Sequence, residues 1–127
     1  MEQIAHYGST TYYTDELTRN LNKLRHISML GYNWDGYGAK PFSAKLILQA
    51  KNLLHELHIQ PEIFPTAAST IQLEYEKDNG DYLEIQLNSS GQCEAFKLVN
   101  GVEEYFHVPE IPEAINELVE DFYGRSF

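Results

Sequence analysis

Ile71-Gln72-Leu73-Glu74-Tyr75-Glu76-Lys77-Asp78-Asn79-Gly80-Asp81-Tyr82-Leu83-Glu84-Ile85-Gln86-Leu87 is where the apolar pattern of the chain changes from helical spacing to strict alternation. Ile71, Leu73 and Tyr75 alternate with Gln72, Glu74 and Glu76. After Asp78-Asn79-Gly80, Leu83, Ile85 and Leu87 alternate with Tyr82, Glu84 and Gln86. Asn and Gly tolerate positive φ, so the middle of the stretch reads as a hairpin turn. Two strands joined by so short a turn must run antiparallel, with one face apolar and the other polar.

Toward the C-terminus the pattern repeats. Asn88-Ser89-Ser90-Gly91 is a second turn. Residues 92–99 form a third strand, with Glu94, Phe96 and Leu98 on one side and Cys93, Ala95, Lys97 and Val99 on the other. Asn100-Gly101 is the shortest hairpin signal in the chain. In the strand after it, Val102, Glu104, Phe106 and Val108 face one way, and Glu103, Tyr105 and His107 the other. Pro109 and Pro112 end the sheet. Ile111, Ala114, Ile115, Leu118, Val119 and Phe122 then share a helical face, and Gly124 stops that helix.

Toward the N-terminus, Pro61 and Pro65 bracket an extended connector from Gln60 to Ala68. Before it, Ile47, Ala50, Leu54 and Leu57 form a stripe widened by Leu46 and Leu53, which predicts a well-buried helix over 44–58 with Ser43 as its N-cap. His55 and His58 fall near its C-terminus, where the dipole favours positive charge. An earlier stripe, Leu17, Leu21, Leu24, Ile27 and Leu30, predicts a helix over 15–29 that ends near Gly31, with Thr14 as N-cap and Asp15 and Glu16 in the first turn. Its basic residues, Arg19, Lys23 and Arg25, are set to meet the acidic sheet. Residues 1–13 are irregular or a short strand. The fold class is therefore α+β, a single domain over 1–127. Its order is α-α-β-β-β-β-α, a four-stranded antiparallel meander with helices packed on one face.

The totals bound the function. The chain has 127 residues, 43% apolar and 22% charged, enough for one core without disulfides or a structural metal. Nine Lys+Arg against nineteen Asp+Glu give a formal charge of -10, which opposes direct contact with nucleic acid or anionic lipid and suits a basic protein partner. The one cysteine, Cys93, excludes an internal disulfide. No signal-peptide pattern or membrane-length apolar run is present, and a reducing cytoplasm is the expected compartment.

Three constellations could carry chemistry. Glu74, Glu76 and Glu84, bordered by Tyr82 and Gln86, lie on the polar face of the hairpin. Three carboxylates there could hold Mg²⁺ or Mn²⁺ and activate water, although alternating glutamates also keep any half-exposed strand soluble. The five histidines show no metal-ligand spacing, Cys93 sits inside a strand, and no phosphate-binding glycine loop follows a strand. The third is the loop Asn33-Trp34-Asp35-Gly36-Tyr37-Gly38-Ala39-Lys40-Pro41 between the first two helices. Asn33 and Asp35 can close Asx turns, the glycines allow positive φ, and Trp34 and Tyr37 add aromatic area. Such a loop serves as a rigid corner, a recognition surface, or both.

That loop, with Pro65-Thr66, Ile71–Glu76 and Tyr82–Ile85, resembles a group of small bacterial proteins. They share an N-W-D-G-Y-G-A-x-P loop and an I-Q-L-E-Y/W-E strand; the resemblance covers roughly 33–87. Ala67-Ala68-Ser69 stands where a glycine-rich turn is usual in the group. The resemblance implies no catalytic residue and no cofactor. The expected function is a non-enzymatic, acidic protein-binding module, an inhibitor or antitoxin-like partner of a basic protein. Its contact residues would be Trp34, Asp35, Tyr37, Glu74, Glu76, Tyr82 and Glu84. The alternative is a metal-dependent hydrolase built on the three glutamates, and a third reading is a homodimer through the sheet or the last helix.

Overall fold

Both N-caps read from the sequence are made. In the computed structural model, which describes residues 4–5 and 12–124, Thr14 Oγ1 accepts the Leu17 N–H at 3.2 Å and opens α1 (Asp15–Ser28). Ser43 Oγ accepts the Leu46 N–H at 3.1 Å and opens α2 (Ala44–Glu56). Ahead of α1, β1 (Ile4–Ala5) and β2 (Tyr12–Tyr13) form a short antiparallel pair. The rest of the expectation for residues 1–13 lies outside the described residues.

The sheet has five strands, not four. The additional strand, β3 (Glu62–Pro65), lies inside the connector and pairs antiparallel with β4 (Ile71–Glu76). Its residues alternate, with Ile63 buried between exposed Glu62 and Phe64. The flanking prolines are compatible with an edge position, where a missing N–H costs no ladder bond. The turn between β3 and β4 closes when Thr66 N–H donates to the Thr70 carbonyl at 3.0 Å. Ser69 there takes a φ of 63°, the left-handed conformation that glycine adopts most easily.

The meander continues through β5 (Tyr82–Leu87), β6 (Gln92–Val99) and β7 (Val102–Pro109), in spatial order β3-β4-β5-β6-β7. The chain then enters α3 (Pro112–Phe122), with proline in its first turn. The apolar sheet face carries Ile63, Leu73, Leu83, Ile85, Leu87 and Cys93, each 0% exposed. They form one core with Leu46, Ala50 and Leu54 of α2 and Ile115, Val119 and Phe122 of α3. Each fully buried Leu or Ile contributes about 1.5–3 kcal/mol relative to exposure. The other sheet face is half-buried or exposed along its length. The helices therefore sit on one face, as alternation required, and Val102 at the start of β7 is left 67% exposed.

A set of buried amides missed by the apolar stripes locks the α2–β3 connector. Asn20, which falls between the apolar positions of α1, is only 5% exposed, and its Nδ2 donates to the Pro61 carbonyl at 2.9 Å and to Gln60 Oε1 at 3.0 Å. From α3, Asn116 Nδ2 donates to the Glu56 carbonyl, and its Oδ1 accepts the His58 N–H, both at 2.9 Å. Gln60 Nε2 reaches the Leu54 carbonyl at 2.7 Å, and Tyr75 O–H reaches the Ile59 carbonyl at 2.7 Å. These bonds satisfy backbone groups that a buried, non-repetitive segment would otherwise leave unpaired. They also explain why α2 ends at Glu56, short of the expected 58. His58 lies beyond the helix and pairs with Glu120 of α3 instead of capping α2.

Candidate functional site

Register assembles the first candidate. Glu62 on β3 lies opposite Glu74 on β4, which lies opposite Glu84 on β5. The same row continues through Phe96 on β6 and Tyr105 on β7. Three carboxylates and two aromatic rings thus cross the uncovered face in a line. Tyr82, one row away, has its ring 6.2 Å from Phe96, and Phe96 lies 4.8 Å from Tyr105, centroid to centroid. Tyr82 O–H donates to Glu84 Oε1 at 2.9 Å, and Gln72 Nε2 donates to Glu74 Oε2 at 2.5 Å. Burial, then the bond to Glu84, pushes the Tyr82 phenol above its ordinary value, so it stays protonated as a donor.

Like charges directly opposite on neighbouring strands repel, and each such pair costs roughly 0.2–1 kcal/mol. Among the described residues none of Glu62, Glu74 and Glu84 makes a salt bridge. Arg19 of α1 lines the same shallow groove as Glu62, Glu74 and Glu76. The expected contact between the basic face of α1 and the sheet is thus one of proximity at Arg19. Lys23 meets the sheet edge differently, its Nζ 4.2 Å from the Phe64 ring centroid. Glu76 lies on the same face as Glu74 but opposite Tyr82, one row from Glu84. The glutamates run in rows and do not converge. Among the described residues no group of three His, Cys, Asp or Glu side chains is arranged to hold a metal ion.

The second candidate, the loop after α1, is tied by its own side chains. Asp35 Oδ1 accepts the N–H groups of Tyr37 at 2.9 Å and Ala39 at 3.1 Å. The bond from Tyr37 is the main cause holding the Asp35 carboxyl below its ordinary value. Asn33, at a φ of 65°, accepts the Gly38 N–H at 2.6 Å, a longer span than the Asx turn expected of it. Trp34 is half-buried; its Nε1 donates to the Lys40 carbonyl at 3.2 Å, and its ring lies 5.9 Å from Phe42. Tyr37, by contrast, is 93% exposed, and Tyr32 just before the loop is 72% exposed. Trp34 and Asp35 therefore build the corner, and Tyr37 projects from it.

The two candidates occupy different places. The loop meets the sheet at the β3–β4 turn, where Ser69 Oγ donates to the Lys40 carbonyl at 3.5 Å, next to the Ile71 end of β4. Glu76 and Tyr82 lie at the opposite end of β4 and β5. Trp34, Asp35 and Tyr37 thus form one patch, and Glu74, Glu76, Tyr82 and Glu84 another. Glu62, Phe96 and Tyr105 belong to the second patch and escaped sequence reading. The signal for Glu62 was present in Glu62-Ile63-Phe64, an alternation between two prolines. Cys93 is poorly placed for nucleophilic chemistry. It is 0% exposed, and burial, aided by the Glu110 carboxylate, pushes its thiol up to about 12.

Compared with protein-family models, curated proteins and solved structures, the chain gives no significant match. Among the described residues no helix is long and apolar enough to cross a membrane.

Proposed function

We propose that the chain is a non-enzymatic protein-binding module whose uncovered sheet face receives a basic partner, in the manner of an inhibitor or antitoxin. The observation that carries this reading is the aligned row Glu62, Glu74 and Glu84, continued by Phe96 and Tyr105. Aligned like charges lower the stability of the free chain, and a cationic surface laid across them would relieve that repulsion. The adjacent rings supply the apolar anchors that dominate interface energy. The overall charge of -10 adds long-range steering toward a basic partner. The resemblance to small bacterial proteins with the N-W-D-G-Y-G-A-x-P loop accords with this reading, because it implies no catalytic residue. Trp34, Asp35 and Tyr37 form a second contact patch, with Tyr37 as its exposed anchor.

The test is co-purification of the chain expressed with its neighbouring genes, with Glu74→Lys/Glu84→Lys as the comparison. Both positions are half-buried on the face away from the core, and circular dichroism checks that the variant folds. A partner that is basic, released by salt and lost from the double variant supports the reading. Recovery of the chain alone, with no salt-sensitive partner, refutes it. Titration calorimetry with Mn²⁺ decides the hydrolase alternative: heat that disappears in Glu74→Gln would favour the metal reading.

A further inference from the structure

β7 has a free edge. It is the last strand of the sheet, eight residues long, and among the described residues it pairs only with β6. Its first half is also uncovered on both faces, with Val102, Glu103, Glu104 and Tyr105 all exposed. The other edge, β3, is four residues long and is flanked by α1 through Asn20 and Lys23. The hairpin fixes which groups β7 presents. Asn100 and Gly101 have φ of 52° and 77°, a two-residue type I′ turn closed by the Val99–Val102 pair. The closing pair of such a turn exchanges both its hydrogen bonds, and bonded and non-bonded pairs alternate from there. Glu103, Tyr105 and His107 are therefore the residues whose N–H and C=O point away from β6. Pro109, at the same parity, has no N–H to present, as a free edge permits.

We infer that this edge pairs with a second copy of the chain, antiparallel, on a two-fold axis at Tyr105. In that register Tyr105 lies opposite Tyr105 of the second copy, and Glu103 lies opposite His107 of the second copy, twice by symmetry. Val102 falls opposite Val108 on the other face. An axis one residue earlier would set Glu104 against Glu104, a like-charge contact that disfavours it. The choice of occupant rests on this self-complementarity: each outward-bonding residue of β7 meets a side chain of matching chemistry in its own copy. Glu94 already lies opposite His107 within the sheet, so the imidazole would sit between two glutamates. Glu104, on the other face, is paired with Lys97 at 3.6 Å, which offsets the charge that would otherwise guard the edge. The net charge of -10 per copy opposes association, but at physiological salt it is screened beyond about 8 Å. Two five-stranded sheets then become one continuous sheet, and the two rows join end to end on the same face, Tyr105 to Tyr105, with their acidic segments at the outer ends.

Sedimentation equilibrium and light scattering on the intact chain at about 150 mM salt test this. The expected result is a concentration-dependent dimer. Glu103→Lys and His107→Glu each weaken it by about tenfold or more, and the swap Glu103→His/His107→Glu restores it. Tyr105→Pro removes the central outward N–H without touching the β6 ladder, and gives a folded monomer by circular dichroism. A monomer at every concentration overturns the inference. So does a dimer that is indifferent to the single charge reversals and to the proline.

Discussion

Replacing Glu74 with Gln should make the protein more stable, which is the opposite of the usual outcome for a half-buried strand residue. Glu74 is the middle carboxylate of the row, with Glu62 opposite on one side and Glu84 on the other. Directly opposed side chains sit about 5 Å apart at Cβ. Two like charges about 6 Å apart in a water-like dielectric repel by about 0.7 kcal/mol. Two neighbours give about 1.4 kcal/mol before screening, and about half of that remains at physiological salt, where the Debye length is about 8 Å. Gln keeps an acceptor for the Gln72 amide, so that bond survives the change. The net expectation is a gain of about 0.7 kcal/mol, or about 3 °C in Tm for a domain of this size. Urea unfolding at pH 7 followed by circular dichroism measures it. The gain should shrink at about 1 M salt, where the Debye length falls to about 3 Å. The same variant should bind a basic partner less tightly, a stability–function opposition at one residue. A variant less stable than the parent, or a gain indifferent to salt, would refute the claim that the aligned glutamates are in conflict.

Asn116→Ala should cost about 2–4 kcal/mol, because it removes two hydrogen bonds and strands the Glu56 carbonyl and the His58 N–H; urea unfolding against the exposed control Asn22→Ala, which should change little, checks it. Trp34→Ala should cost about 2 kcal/mol for a half-buried ring, and Trp34→Phe about 1 kcal/mol for the lost bond to the Lys40 carbonyl. Both are read by far-UV circular dichroism, since the change removes the chain's only tryptophan; an Ala variant as stable as the parent would mean that the loop is not a structural corner. The Cys93 thiol, pushed up to about 12, is about one ten-thousandth ionised at pH 8, so Ellman's reagent should label the native protein only as fast as it opens. Labelling within seconds in the folded state would show an exposed or activated thiol.

The hairpin Ile71–Leu87 and its continuation were legible because alternation and turn chemistry are local. Ile71, Leu73, Leu83 and Ile85 had to face a core together, and Asn79-Gly80 and Asn100-Gly101 had to turn the chain. The caps at Thr14 and Ser43 were legible for the same reason. Glu74, Glu76, Tyr82 and Glu84 could be placed on one polar face by parity alone.

Tertiary structure decided what depends on partners distant in sequence. β3 exists as a strand because β4 offers it an edge, and a four-residue segment between prolines carries too few residues to declare itself. Its pairing brought Glu62 into line with Glu74 and Glu84 and turned a hairpin's polar face into a row across the sheet. Asn20 and Asn116 look like surface residues of amphipathic helices, yet they are buried because a carbonyl or an N–H of the α2–β3 connector needs each of them. The separation of the Trp34 loop from the acidic row was likewise invisible in the sequence, which fixes the face of a strand but not which end of it a distant loop will meet. Periodicity determines which side of each element turns inward, because that follows from backbone geometry and the aversion of apolar groups to water. Which polar groups meet across the fold is set only when the elements pack, because each buried N–H and C=O then takes whatever partner that packing brings within reach.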